Sequence, residues 1–144
     1  MKINKIIETV IYCDNVEEMF DFYQDVFHFE VIQKSFPRGV FLRCGESVLA
    51  IFNRSMTSQE GQLPPHHGTK GAQHFAFEIP DNEYEEWKKL FAEKNIPIEK
   101  EITWSSRNNG ARSFYFRDPA GNNVEIAEKK LWNPEGFTFL SSTN

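Results

Sequence analysis

The chain repeats itself, and that repetition constrains its fold more than any other feature. Residues 5–13 read as a strand that runs into Asp14-Asn15, and residues 71–80 as a strand that runs into Asp81-Asn82. Three residues after each asparagine stands a glutamate, Glu18 or Glu85, the spacing of a helix-capping box. An apolar stripe at helical spacing follows in each half: Val16, Met19, Phe20, Tyr23, Val26 and Phe27, then Tyr84, Trp87, Leu90 and Phe91. Strands are expected at 29–34, 40–43 and 47–52, the last two turning at Cys44-Gly45-Glu46. Their counterparts are 97–101, 112–117 and 122–128, the last two turning at Asp118-Pro119-Ala120-Gly121. The chain therefore reads as one α+β domain, 1–144, built of two βαβββ modules at 5–53 and 71–130. Residues 54–70, polar and rich in Gly, Pro and Ser, are expected to be a linker or a mobile flap over a site.

Strand alternation singles out candidate chemistry. Phe75, Phe77 and Ile79, with Val124 and Ile126, make one apolar face. The other face carries His74, Ala76 and Glu78 beside Asn123, Glu125 and Ala127, polar groups with room around them. Superposing the halves puts Glu8 where His74 stands and Ala50 where Glu125 stands. Three of these four equivalent positions carry groups that can bind metal. One imidazole and two carboxylates suit Mn²⁺, Fe²⁺, Ni²⁺ or Zn²⁺. The plainer alternative is that His74 hydrogen-bonds Glu125 and that Glu8 is a strand-edge carboxylate.

Composition removes several classes. A formal net charge of −5, unclustered, gives no footprint for nucleic acid or an anionic membrane. No apolar run approaches a membrane span, and Met1-Lys2-Ile3-Asn4 starts no secretory signal. Cys13 and Cys44 lie in strand-like segments and are expected to be reduced packing residues of a cytoplasmic protein. The fourteen Phe, four Tyr and three Trp must be buried somewhere, which fits a core or an aromatic cleft. Gly-x-Ser-x-Gly, Walker and Gly-x-Gly-x-x-Gly patterns are absent, so neither a nucleophile elbow nor a phosphate loop is expected.

The run from Glu8-Thr9-Val10-Ile11-Tyr12 through Phe22-Tyr23 to Phe116-Arg117-Asp118-Pro119-Ala120-Gly121-Asn122, with Glu125 three residues on, resembles the vicinal oxygen chelate superfamily. That superfamily includes glyoxalase I, the bleomycin-resistance proteins, the fosfomycin-resistance transferases and the extradiol dioxygenases. The resemblance implies paired βαβββ modules curved into a partly open, barrel-like sheet, with a divalent metal held by Glu8, His74 and Glu125. It also implies a homodimer in which the partner subunit supplies the first-strand ligand. Ala50 departs from the four-ligand set of glyoxalase I, and Glu8 from the two-histidine, one-glutamate set of the dioxygenases and fosfomycin transferases. No one subfamily is thereby implied.

Around that site, Ser113 and Tyr115 share a strand face and can hydrogen-bond a substrate, Arg112 and Arg43 can clamp an anion, and Trp104 can form a lid or aromatic wall. Trp132 is expected to pack the C-terminal tail, His28 to be structural, and His66-His67 to sit in a mobile loop rather than a metal site. Two functions follow. One is a metal-dependent lyase, isomerase or transferase that chelates the oxygens of a small metabolite or xenobiotic, with Glu8 moving a proton. The other is a metal-free protein that sequesters a bulky ligand, as bleomycin-resistance proteins do.

Overall fold

The structure, a computed structural model, describes residues 1–61 and 63–132. It divides into two compact units: Met1–Gln73 with Asp118–Asn122, and His74–Arg117 with Asn123–Asn144. Each holds an open, mixed four-stranded sheet, so the expected α+β, duplicated architecture is the one found.

In the first unit β1 (Glu8–Cys13) leads to helix α1 (Val16–Phe27), then β2 (Glu30–Ser35), β3 (Gly39–Cys44) and β4 (Ser47–Asn53). The strand order is β1-β4-β3-β2, with β1 and β4 parallel. Asn15 caps α1 as its spacing predicts, its Oδ1 accepting from the Glu18 amide at 3.1 Å. Val16, Met19, Tyr23 and Val26 form the buried stripe, and His28 closes the helix in the left-handed region at φ 52°. Val40, Leu42, Leu49 and Ile51 supply the buried side chains of the sheet.

The second unit repeats the plan with β5 (His74–Ile79), α3 (Tyr84–Glu93), β6 (Lys100–Thr103), β7 (Arg112–Arg117) and β8 (Asn123–Glu128), in the order β5-β8-β7-β6. Phe91 lies edge-on to Phe114 and Phe116, with ring centroids at 5.0 and 4.8 Å, and joins the helix to its sheet. The duplication extends to register. Val10 pairs with Ala50 and Ala76 with Glu125, so Glu8 and His74 each precede their strand's equivalent residue by two.

Three local expectations change. The second capping box does not form: Glu83 is the cap residue of α3 and makes no side-chain cap bond. Distant partners take the groups instead, since Asp81 accepts from the Lys130 amide at 3.0 Å and Glu85 receives Arg112 at 2.7 Å. The β6 strand begins later than its sequence suggests, because Lys100 to Thr103 are the residues that pair with Tyr115 to Arg112. Residues 54–70 do not open as featureless linker, because Asn53 caps a short helix α2 (Arg54–Thr57) through the Ser55 and Met56 amides. Among the described residues no helix is long and apolar enough to cross a membrane. Trp132 is 71 % exposed, and the tail it was expected to pack lies outside the described residues.

Candidate functional sites

Each unit presents one polar sheet face. In the second unit strand alternation puts His74 and Ala76 of β5, Glu125 and Ala127 of β8, and Ser113 and Tyr115 of β7 on the same side. His74 Nε2 stands 3.6 Å from Glu125 Oε2. That is too long for a hydrogen bond. On its other edge, His74 Nδ1 lies 3.0 Å from the Asn123 carbonyl oxygen and 3.2 Å from Asn123 Oδ1. A carbonyl oxygen can only accept, so Nδ1 donates to Asn123, and Nε2 is the ring nitrogen that faces the carboxylate.

Glu125 itself is nearly inaccessible, and its Oε1 is buried with no hydrogen-bond partner among the described residues. An orphaned carboxylate oxygen of this kind is normally worth avoiding by about 1–3 kcal/mol. A metal-binding carboxylate beside a backbone-oriented imidazole is the setting in which such an arrangement is stable. The donor set therefore fits a divalent cation. Within one chain, no group of three or more His, Cys, Asp or Glu among the described residues gathers into a metal-holding cluster.

Tyr115 stacks beside His74, with centroids 6.2 Å apart and planes at 27°. Burial, with the adjacent Glu125 carboxylate, pushes its phenol up to about 12, so it holds its proton at neutral pH. Ser113 is fully buried, and its Oγ accepts from Trp104 Nε1 at 2.9 Å while Trp104 packs on Ala111, Ala127 and Leu131. Trp104 is thus tied to this face through Ser113.

Arg112 is not brought to the face. Alternation turns it toward α3, where it binds Glu128 at 2.7 Å and Glu85 at 2.7 Å and lies over the Tyr84 ring at 4.2 Å. Its guanidinium donors serve buried Glu128, and none of these partners is on the side that carries His74. Sequence spacing could have separated Arg112 from Ser113 and Tyr115 by strand parity alone.

In the first unit Glu8 opens β1, exposed and paired with Val48. It lines a cavity of 420 Å³ on the sheet face, together with Tyr12, Arg38, Phe41, Phe52 and His67. His67 belongs to the stretch expected from sequence to be a mobile loop rather than a metal site. It is half-buried, its amide bonds the Thr57 carbonyl at 2.9 Å, and its Nδ1 meets the Tyr12 hydroxyl at 2.7 Å. The alternation of β1, which puts Glu8, Val10 and Tyr12 on one face, was the available signal for this site. The position of His67 had none.

The Asp118 turn anchors rather than reacts. Oδ1 accepts from the Ala120 and Asn122 amides at 3.0 Å each, and Oδ2 accepts from Tyr23 at 2.8 Å and Asn122 Nδ2 at 2.9 Å. Asn122 Oδ1 in turn accepts from the Gln73 amide at 3.0 Å. Cys13 and Cys44 are free thiols. Burial and the Asp118 charge push Cys13 up to about 11, which leaves it an inert packing thiol.

Comparison with known proteins agrees with this geometry. The family model for the glyoxalase/bleomycin resistance protein/dioxygenase superfamily matches residues 5–126. The chain is similar to the metallothiol transferase FosB of Staphylococcus saprophyticus, 26% identical over 112 residues that make up 78% of this chain and 68% of that protein. The FosB of Staphylococcus epidermidis is 22% identical over 126 residues, 88% of this chain and 82% of that protein. Among solved structures, lactoylglutathione lyase from Agrobacterium tumefaciens is 38% identical with a TM-score of 0.86, covering 92% of this chain and 99% of that one. With a whole-module match, a duplicated βαβββ plan and a relative of this identity, the chain belongs to the glyoxalase/bleomycin resistance protein/dioxygenase superfamily.

Proposed function

We propose that this protein is a divalent-metal-dependent enzyme acting on a small oxygen-rich molecule, by lyase, isomerase or transferase chemistry. The observation that carries the reading is buried, unpartnered Glu125 Oε1 beside a histidine whose free Nε2 faces the same carboxylate. His74 and Glu125 hold the metal in this reading, and Glu8 of a second copy completes the set in a homodimer. A bound Mn²⁺, Fe²⁺, Ni²⁺ or Zn²⁺ ion supplies Lewis-acid polarisation of two neighbouring substrate oxygens.

The chain's own groups then divide the work. Asn123 fixes the His74 ring and its tautomer. Tyr115, protonated at neutral pH, donates a hydrogen bond to a substrate oxygen. Trp104 and Ser113 act as a bonded pair that shapes the wall beside Ala127. Glu8, exposed at its strand end, would move the proton once released from the metal. Arg112 takes no part, since Glu128 and Glu85 engage it. The names of the relatives, a metallothiol transferase and a lactoylglutathione lyase, support metal-assisted chemistry on small molecules. Two free thiols suit a reducing cytoplasm.

A second reading is favoured by the first unit's aromatic-walled cavity: a metal-free protein that sequesters its ligand. Metal analysis of untagged protein alongside His74→Ala and Glu125→Ala separates the two. Stoichiometric metal that both variants lose supports the enzyme. No metal after reconstitution with all four ions removes it and leaves the sequestering protein.

A further inference from the structure

The first unit's cavity contains a positive charge that nothing in the described chain neutralises. Arg38 sits in the turn between β2 and β3, half-buried, and lines the 420 Å³ cavity. Among the described residues no carboxylate lies within ion-pair distance of its guanidinium. The cavity volume is that of a small-molecule site.

Register places the lining in rows across the sheet. Tyr12, Phe52, Gly39 and Ser35 form one row, and Val10, Ala50, Phe41 and Gln33 the next. Glu8 stands four residues before Tyr12, about 13 Å along the strand. The row nearest Arg38 is the aromatic one. Gly39 is required there, because a Cβ at that position would lie 2.4 Å from the Phe52 ring. Phe52 therefore covers bare backbone, and His67 meets the Phe52 ring edge-on with centroids 5.4 Å apart. Tyr12 Oη and His67 Nδ1 lie 2.7 Å apart, which leaves Nε2 as the ring nitrogen available to a ligand. A His67 that accepts at Nδ1 carries its hydrogen at Nε2 and is a donor.

We infer that this cavity binds a small molecule carrying an anionic oxygen group, held by Arg38 and the His67 side chain, with an apolar segment lying over Phe41 and Phe52. Glu8 lines the same cavity from the other end of β1, which suits an elongated ligand. That Glu8 meets the reacting oxygens rests on the metal reading above; recognition of the anion at Arg38 does not. The substrate class narrows from any oxygen-rich molecule to an anionic one with an apolar stretch, such as a carboxylate-bearing conjugate.

Calorimetric titration of the full chain with 4-phenylbutanoate and with its neutral amide, 4-phenylbutanamide, tests this. The acid is expected to bind at least about ten-fold more tightly than the amide, the scale of one charge-assisted pair. Arg38→Gln should erase that preference by weakening the acid and sparing the amide, and Arg38→Lys should restore part of it. Glu125→Gln should leave the acid-to-amide ratio unchanged. Equal affinity of the two probes, a preference that survives Arg38→Gln, or binding of neither probe would each overturn the inference. Metal content of the Glu125 variant reports on the metal reading separately, so either proposal can fail without the other.

Discussion

His74 Nε2 and Glu125 Oε2 face each other at 3.6 Å, too far apart for a hydrogen bond. Nδ1 is already engaged by Asn123, and among the described residues Glu125 Oε1 has no hydrogen-bond partner. Two electron-rich groups so arranged attract a cation. Adding Mn²⁺, Fe²⁺, Ni²⁺ or Zn²⁺ should therefore raise the thermal midpoint of the wild-type protein. At a metal concentration one hundred times the dissociation constant the gain is about 2.7 kcal/mol. Glu125→Gln should abolish the gain without lowering the midpoint of metal-free protein, because an amide is cheaper to bury than an unpaired carboxylate. A metal-induced shift that persists in Glu125→Gln would put the cation elsewhere.

Tyr115 keeps its proton well past neutral pH because burial and the Glu125 charge push its phenol up to about 12. Tyr115→Phe should retain metal and fold, yet lower turnover by about ten- to a hundred-fold if the hydroxyl donates to a substrate oxygen in the transition state. Metal content and kcat measured on the same sample decide the point: unchanged turnover removes the hydroxyl from the mechanism.

The Tyr23–Asp118 hydrogen bond is a stability feature with no expected part in chemistry. Tyr23 is fully buried, and its hydroxyl donates to a carboxylate that also holds the Ala120 and Asn122 amides. Tyr23→Phe should destabilise by about 1–3 kcal/mol, since it removes one donor from a buried charge. Denaturant unfolding gives the value, and metal content should not change. Destabilisation below about 0.5 kcal/mol would mean that water replaces the phenol without loss.

Buried Glu128 makes the protein acid-sensitive. Burial works to raise its carboxyl, but the Arg112 side chain and amide and Lys130 outweigh it and hold it below the ordinary 4.5. A depressed folded-state pKa contributes stability that is complete above the unfolded value and is lost as pH falls through the folded one. Stability should therefore decline below about pH 4.5 as Glu128 takes up a proton. Glu128→Gln should be less stable at neutral pH, by about 3–5 kcal/mol for a broken buried pair, with a shallower decline in acid. Urea midpoints from pH 3 to 7 compare the slopes, and parallel curves would exclude Glu128 as the source.

Particular residues show how far the sequence could be read. The stripe at Val16, Met19, Tyr23 and Val26 and the cap at Asn15 are settled by neighbours within one helical turn, and they fold as their spacing predicts. The same logic applied to Asn82 and Glu85 fails, because Arg112 offers Glu85 a partner across the unit, 27 residues away in sequence. Strand parity puts Tyr115 and Ser113 on the face that carries His74 and turns Arg112 to the other side. His67 reaches Tyr12 across 55 residues, a distance over which no local pattern carries information.

By itself, then, the sequence determined the duplicated βαβββ plan, the strand faces, and the equivalence of Glu8 with His74 and of Ala50 with Glu125. Each of these depends on periodicity and turn chemistry acting over a few residues. Tertiary structure decided which groups were left without partners among the described residues, Glu125 Oε1 and the Arg38 guanidinium, and set the Nε2 edge of His74 toward Glu125. Whether a polar atom is satisfied depends on every group that folding packs around it, and most of those groups come from distant parts of the chain.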